Sequence, residues 1–428
     1  MRIRRVLFQF SALSAALFLV AASAYAAASG ANGKKIEFTT KSKEAKDYVA
    51  QIVYRIETFQ FGPQSFELAK KATEADPNFA FGYYLMGTAS PTPQEGRPHI
   101  DKAIELAKNA SEGERRYIEA VMLVRGQKFQ EGIAIFNDLA KQFPGERMVQ
   151  MMIGQAHLGS GNLDEARVAF ERAAQIDAST PRVHTFLGNA ALLKGDYAKA
   201  RELYKASWGK KAPKTAPFGP GYGLAYAYIY EGDMKSALKA LEDFQVAYVN
   251  SDGAQQFPPV FIWNSIGRLL VENGRAEEAI KAYEKGYASI PGATNMSEND
   301  KKAWLGRLHH GKGRALAKMG KHAEAWKEAE TIKQMIEAGG EEGKQFWPAY
   351  HYIAGYLKLE SGDYAKAIEH LKQADLNDPF HKLLLARAYE KTGDQENAQK
   401  LYKEIVSFNI INIERALSYP EAKKKLKG

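Results

Sequence analysis

Apolar residues recur at i, i+3, i+4 and i+7 on both sides of short glycine-containing turns, which predicts paired amphipathic helices. The hexapeptide GDYAKA marks one such turn at 195–200 and returns unchanged at 362–367. Related versions are GNLDEA at 161–166, GDMKSA at 232–237, GRAEEA at 274–279, GKHAEA at 320–325 and GDQENA at 393–398. The steps between successive turn glycines are 34, 37, 42, 46, 42 and 31 residues. A period in that range marks stacked supersecondary repeats.

The flanks of each turn repeat as well. Seven residues before the turn glycine stands a small residue: Gly154, Gly188, Ala225, Gly267, Gly313, Gly355 or Ala386. Five residues after it stands alanine in every copy, and nine after it Phe170, Tyr204, Leu241, Tyr283, Ala329, Leu371 or Tyr402. A small side chain lets two helices approach, and a bulky one fills the space between neighbouring hairpins. The turn glycine ends the first helix because it tolerates positive φ. Asn162, Asp196, Asp233, Asp363 and Asp394 follow it as candidate caps of the second helix. Pro291 and Pro379 are expected to stop helices.

This combination resembles the tetratricopeptide repeat, most completely in Trp263, Gly267, Gly274, Ala279, Tyr283 and Pro291. The clear motifs cover 115–408. Over 43–114 the repeat is degenerate, with 65–77 resembling a second helix, and GQKFQEG at 126–132 resembles a further turn. The resemblance implies an all-α, right-handed superhelical solenoid of about nine hairpins from near Lys43 to Phe408. Residues 409–428 are expected to form a capping helix with a basic tail. Extra residues fall between hairpins, at 210–223, 250–259, 291–302 and 338–344. They are expected at the surface.

The N-terminus changes the picture of where the chain works. Arg2, Arg4 and Arg5 precede an apolar stretch from about Phe10 to Val20, and Ala24-Tyr25-Ala26 follows as a cleavage site. This is the layout of a secretory signal peptide over 1–26, its rival being a retained anchor. Residues 27–42 are expected to be a disordered linker. The mature chain is expected to be periplasmic or secreted, with no membrane span left after cleavage. The chain has no cysteine, which removes disulfides, thiolate metal sites and a cysteine nucleophile. Its formal net charge of +9 is scattered rather than gathered into a stripe, so nucleic acid is not an expected partner.

Several chemical motifs come close and fail. Residues 306–313, GRLHHGKG, approach a phosphate-binding loop but end in Gly313 where a magnesium-binding hydroxyl is needed. Ser207 with Lys210 and Ser236 with Lys239 each fit S-x-x-K, without the companion motifs. His184, His309 and His351 all stand eleven residues before a turn glycine, a packing position rather than a ligand pattern. No catalytic residue, metal or cofactor is therefore expected.

In repeats of the family it resembles, first helices line the groove. Residues ten and six before each turn glycine share that face, because i and i+4 align. The rule also yields Met151, Gln155, Thr185 and Leu383, and the partner-binding candidates taken from it are Asn189, Tyr222, Tyr226, Asn264, Arg268, His310, Arg314, Tyr352, Tyr356 and Arg387. Tyr and Arg are frequent binding hot spots. Some members of the family hold C-terminal carboxylates with a Lys/Asn/Arg clamp. That pattern is incomplete here, and Asn264, Arg268 and Arg314 are the residues nearest to it. Arg268 and Arg314 are expected to project side by side into the groove, exposed enough to be removed without loss of stability. The expected function is a non-enzymatic scaffold that binds a protein or peptide partner. The alternative is an accessory of cell-envelope carbohydrate chemistry that binds or cuts glycans.

Overall fold

The computed structural model describes residues 33–60, 63–255, 257–293 and 296–427, so the signal peptide predicted over 1–26 lies outside the described residues. The described regular structure is helical, and the chain divides into two compact units. The first comprises the residues up to Lys194 together with Glu202–Pro217, and the second Gly195–Arg201 together with Phe218 onward.

In the first unit the helices run α1 Lys43–Glu57, α2 Pro63–Ala75, α3 Ala80–Ala89, α4 Pro93–Ala107, α5 Glu112–Arg125, α6 Phe129–Gln142, α7 Arg147–Gly159, α8 Leu163–Ile176 and α9 Pro181–Lys194. Helix α10, Tyr197–Gly209, straddles the division. The second unit continues with α11 Phe218–Glu231, α12 Met234–Val249, α13 Val260–Glu272, α14 Ala276–Tyr287, α15 Glu298–Lys318 and α16 His322–Ala338. It ends with α17 Trp347–Glu360, α18 Tyr364–Leu371, α19 Pro379–Thr392, α20 Gln395–Ser407 and α21 Ile413–Lys425. Among the described residues, α1 to α20 pair in order into ten hairpins, against about nine expected. The additional one lies in the degenerate region, where α1–α4 carry no turn motif of the GDYAKA kind. Among the described residues no helix is long and apolar enough to cross a membrane.

The periodic residues interlock inside four of the described hairpins, those of Gly154, Gly188, Gly267 and Gly355. A Cβ placed on Gly267 would lie 2.7 Å from the Tyr283 ring, and one on Gly188 2.8 Å from Tyr204. On Gly355 it would lie 2.6 Å from Leu371. The bulky residue of the second helix thus seats on the bare backbone of the first, and Tyr204, Leu371 and Phe170 are fully buried. All seven turn glycines have positive φ, between 72° and 87°. Asp196, Asp233 and Asp394 accept the backbone N–H three residues on at 3.0, 3.0 and 3.1 Å, which caps the second helix. Asp363 does so at 3.4 Å.

Four details depart from expectation. Asn162 makes no cap bond, and its amide turns back to Ser160 Oγ at 3.1 Å. Pro379 starts α19 instead of stopping a helix, at a position where a missing N–H costs nothing. In the turn between α5 and α6 the left-handed residue is Gln127, at φ 61°, and not Gly126. Counted from Gln127, Ala120, Gly132 and Phe136 then fall on the repeat positions. Finally, the disorder expected over 27–42 does not extend to 33–42. There Phe38 stacks on Phe81 at 4.0 Å, and the Thr39 and Phe81 N–H groups both donate to the buried Glu114, at 2.5 and 2.8 Å. The predicted surface loops are also shorter than expected, since Phe218–Gly223 is already α11 and residues 298–302 are already α15.

Candidate partner-binding face

The near-motifs end up in structural roles. Residues 306–313 lie in the middle of α15, so their N–H groups are not presented as a phosphate loop. Ser207 is buried and shares its hydroxyl with Thr185 (2.7 Å) and the Pro181 carbonyl (2.8 Å). His309 bonds Glu328 at 2.5 Å and His351 faces His370 at 3.0 Å, each across its own hairpin. Among the described residues, no three His, Asp or Glu side chains converge as a metal site.

Of the ten groove candidates, Asn189 belongs to the first unit, where it accepts a hydrogen bond from Tyr204 at 2.8 Å inside its own hairpin. The other nine lie on α11, α13, α15, α17 and α19, the first helices of the second unit. None of them is exposed. Tyr226, Arg268, Arg314, Tyr352 and Tyr356 are buried, and Tyr222, Asn264, His310 and Arg387 are half-buried. This corrects the expectation for Arg268 and Arg314, whose exposures are 7% and 4%.

Most of these side chains are covered by identifiable neighbours. Arg314 donates to the Tyr283 hydroxyl at 3.0 Å and the Tyr352 hydroxyl at 3.2 Å, which links three hairpins. Tyr352 lies between His310, at 4.4 Å, and His381, at 3.9 Å. Burial pushes the His310 imidazole well below its usual range, and Arg314 and His381 reinforce the shift. Tyr222 and Tyr226 stack at 5.6 Å, and the Tyr222 hydroxyl donates to the Phe261 carbonyl at 3.2 Å.

Helix α21 also covers this face. It packs on its neighbour α20 but also on α19 and α11, so it reaches well beyond the last hairpin that it was expected to cap. Asn412 caps its start by accepting the Arg415 N–H at 2.8 Å. Glu414 pairs with Arg268, whose guanidinium also lies 4.8 Å over the Phe380 ring. Glu421 takes a two-pronged bond from Arg387, at 2.9 and 2.6 Å. Burial works against both arginines, but these carboxylates, with Tyr352 beside Arg268, hold their pKa above the usual value. Arg387 in turn holds the Glu421 carboxyl below its usual range, although burial works the other way. Arg415 donates to the Tyr230 hydroxyl at 2.5 Å and lies 4.3 Å over Tyr419. Burial raises the Tyr230 hydroxyl to about 12, so it stays a neutral donor and acceptor.

Tyr230 and Glu272 belong to this face and were missed by the sequence reading. Both stand two residues before a turn glycine, one more i+4 step along the same stripe. Several polar atoms of the face have no hydrogen-bond partner among the described residues: Arg268 Nε and Nη2, Arg314 Nε, His310 Nε2 and Glu272 Oε1. Chemically, the face offers fixed guanidinium donors between aromatic rings, which suits carboxylates carried on a helix.

No curated protein matches the chain. Similar solved structures include a tetratricopeptide repeat protein from Parabacteroides merdae, 14% identical, covering 64% of this chain and 98% of that one at a TM-score of 0.42. The C-terminal part of a repeat protein from Cytophaga hutchinsonii is 16% identical, covering 63% and 98% at 0.42. A chain of the APC/C hetero-tetramer Cut9–Hcn1 is 14% identical, covering 90% and 71% at 0.43. These likenesses carry no functional weight. The sequence model of the tetratricopeptide repeat matches residues 119–181, 151–213, 222–294 and 352–409, more than half of the chain. With the glycine-turned hairpins in place, the chain belongs to the tetratricopeptide repeat family.

Proposed function

We propose that this protein is an exported, non-enzymatic scaffold that binds a protein partner on the first-helix face of its second unit. Repeats of this family generally form protein-interaction scaffolds, which supports this class of function. One observation carries the choice of face: a helix already sits there, held by arginine–carboxylate pairs to α13 and α19. A surface that seats one helix has the shape and the donors to seat another. Export rests on the three-part N-terminal segment alone. Binding of glycans, which stack on exposed aromatic rings, has little support on this face, because Tyr226, Tyr230, Tyr352 and Tyr356 are buried.

The test is site-specific photo-cross-linking of the mature chain in periplasmic extract. A cross-linker at half-buried Asn264 should capture a defined protein, whereas one at Lys281, exposed on the second helix α14, should not. Equal capture at both positions would remove the assignment of the face. N-terminal sequencing of the exported chain should begin near Ala27.

A further inference from the structure

Building on that reading, we propose that α21 is an internal ligand, displaced by a partner helix that presents two carboxylates seven residues apart and one further acidic group beside them. Glu414 and Glu421 are two helical turns apart, so they project from one side of α21, about 10 Å apart along its axis. Their partners, Arg268 on α13 and Arg387 on α19, belong to different hairpins. The face therefore reads a spacing of acidic groups and not merely a net charge.

Three observations make α21 displaceable. Its buried residues are Ile413, Arg415, Ala416, Ser418 and Ala422. Ile413 is the one large apolar side chain among these, with Leu417 and Leu426 only partly buried, so α21 removes less apolar surface from water than the hairpins, which interlock through Tyr204, Phe170, Tyr283 and Tyr402. The segment between α20 and α21, residues 408–412, is not helical, so α21 can leave without unwinding α20. Lastly, α21 meets Arg268 with one carboxylate and leaves its Nε and Nη2 without an acceptor among the described residues. A partner with one more acidic group satisfies them and gains over α21, because a buried donor without an acceptor is costly. The tether meanwhile gives α21 a high effective concentration, which keeps the face closed to weaker ligands.

The experiment uses the full mature chain and a fluorescent peptide of residues 409–428, read by anisotropy. Two variants open the face: Ala416→Trp, which expels α21 by bulk at a fully buried position, and Glu414→Lys with Glu421→Lys, which reverses both charges. Each should bind the peptide at least about tenfold more tightly than the wild type, as expected when a competing closed state is removed. The peptide carrying the same two lysines should not bind. Variants that stay folded by circular dichroism yet bind no better than wild type would overturn the proposal, as would equal binding of the lysine peptide. Should both variants unfold, hydrogen exchange of the wild type decides. Amides of α21 that exchange ahead of those of α19 and α20 uphold it, and equal protection makes α21 an integral part of the fold. Cross-linking at Asn264 separates this from the broader reading. A partner captured equally by wild type and opened variants keeps the face and removes the displacement.

Discussion

Gln127 is the residue where one backbone angle explains a misread turn. It holds φ 61° without being glycine, at the place where seven other turns use glycine. Left-handed backbone costs a residue with a side chain about 1–2 kcal/mol, less the entropy that glycine loses on folding. Gln127→Gly should therefore raise stability by about 0.5–1 kcal/mol in thermal unfolding. Gly267 argues the opposite way. Its bare Cα receives the Tyr283 ring, so Gly267→Ala forces that ring aside and should lower stability by about 1–3 kcal/mol. The seven-glycine pattern was legible in the sequence because only glycine serves those turns cheaply. The phase of the turn at Gln127 was not, because an adjacent Gly126 offered itself for the wrong position.

Among the elements, α15 and α21 hold what the sequence concealed. A charged residue on a first helix reads as solvated until its partner is known, and Glu414 is 146 residues from Arg268. No local spacing announces such a pair. The same holds for the segment before α1, tied down by Glu114 some 75 residues away. On α15, Arg314 bridges Tyr283 and Tyr352, so Arg314→Ala should cost about 2–4 kcal/mol, well beyond an exposed substitution. His310 gives α15 a pH dependence. An unfolded imidazole takes its proton near pH 6.5, whereas the folded one, beside Arg314, Arg268, His381 and Tyr352, takes it only at much lower pH. Stability from this group is complete above about pH 6.5 and is lost progressively as the pH falls below it. Melting temperatures between pH 7.5 and 5 should show that decline, and His310→Gln should flatten it.

At the scale of the whole molecule, the second unit is expected to carry two kinds of surface: first helices that recognise and second helices that support. The repeat motif revealed which helices are which, since the turn glycine fixes the phase of both. It did not reveal that the recognising side carries a helix of its own. Hydrogen exchange of the full chain, with and without the protein captured at Asn264, tests this most directly. The account predicts that the partner protects amides of α11, α13, α15, α17 and α19 while those of α21 become faster. Protection confined to the second helices or the inter-hairpin loops, with α21 unchanged, would contradict it.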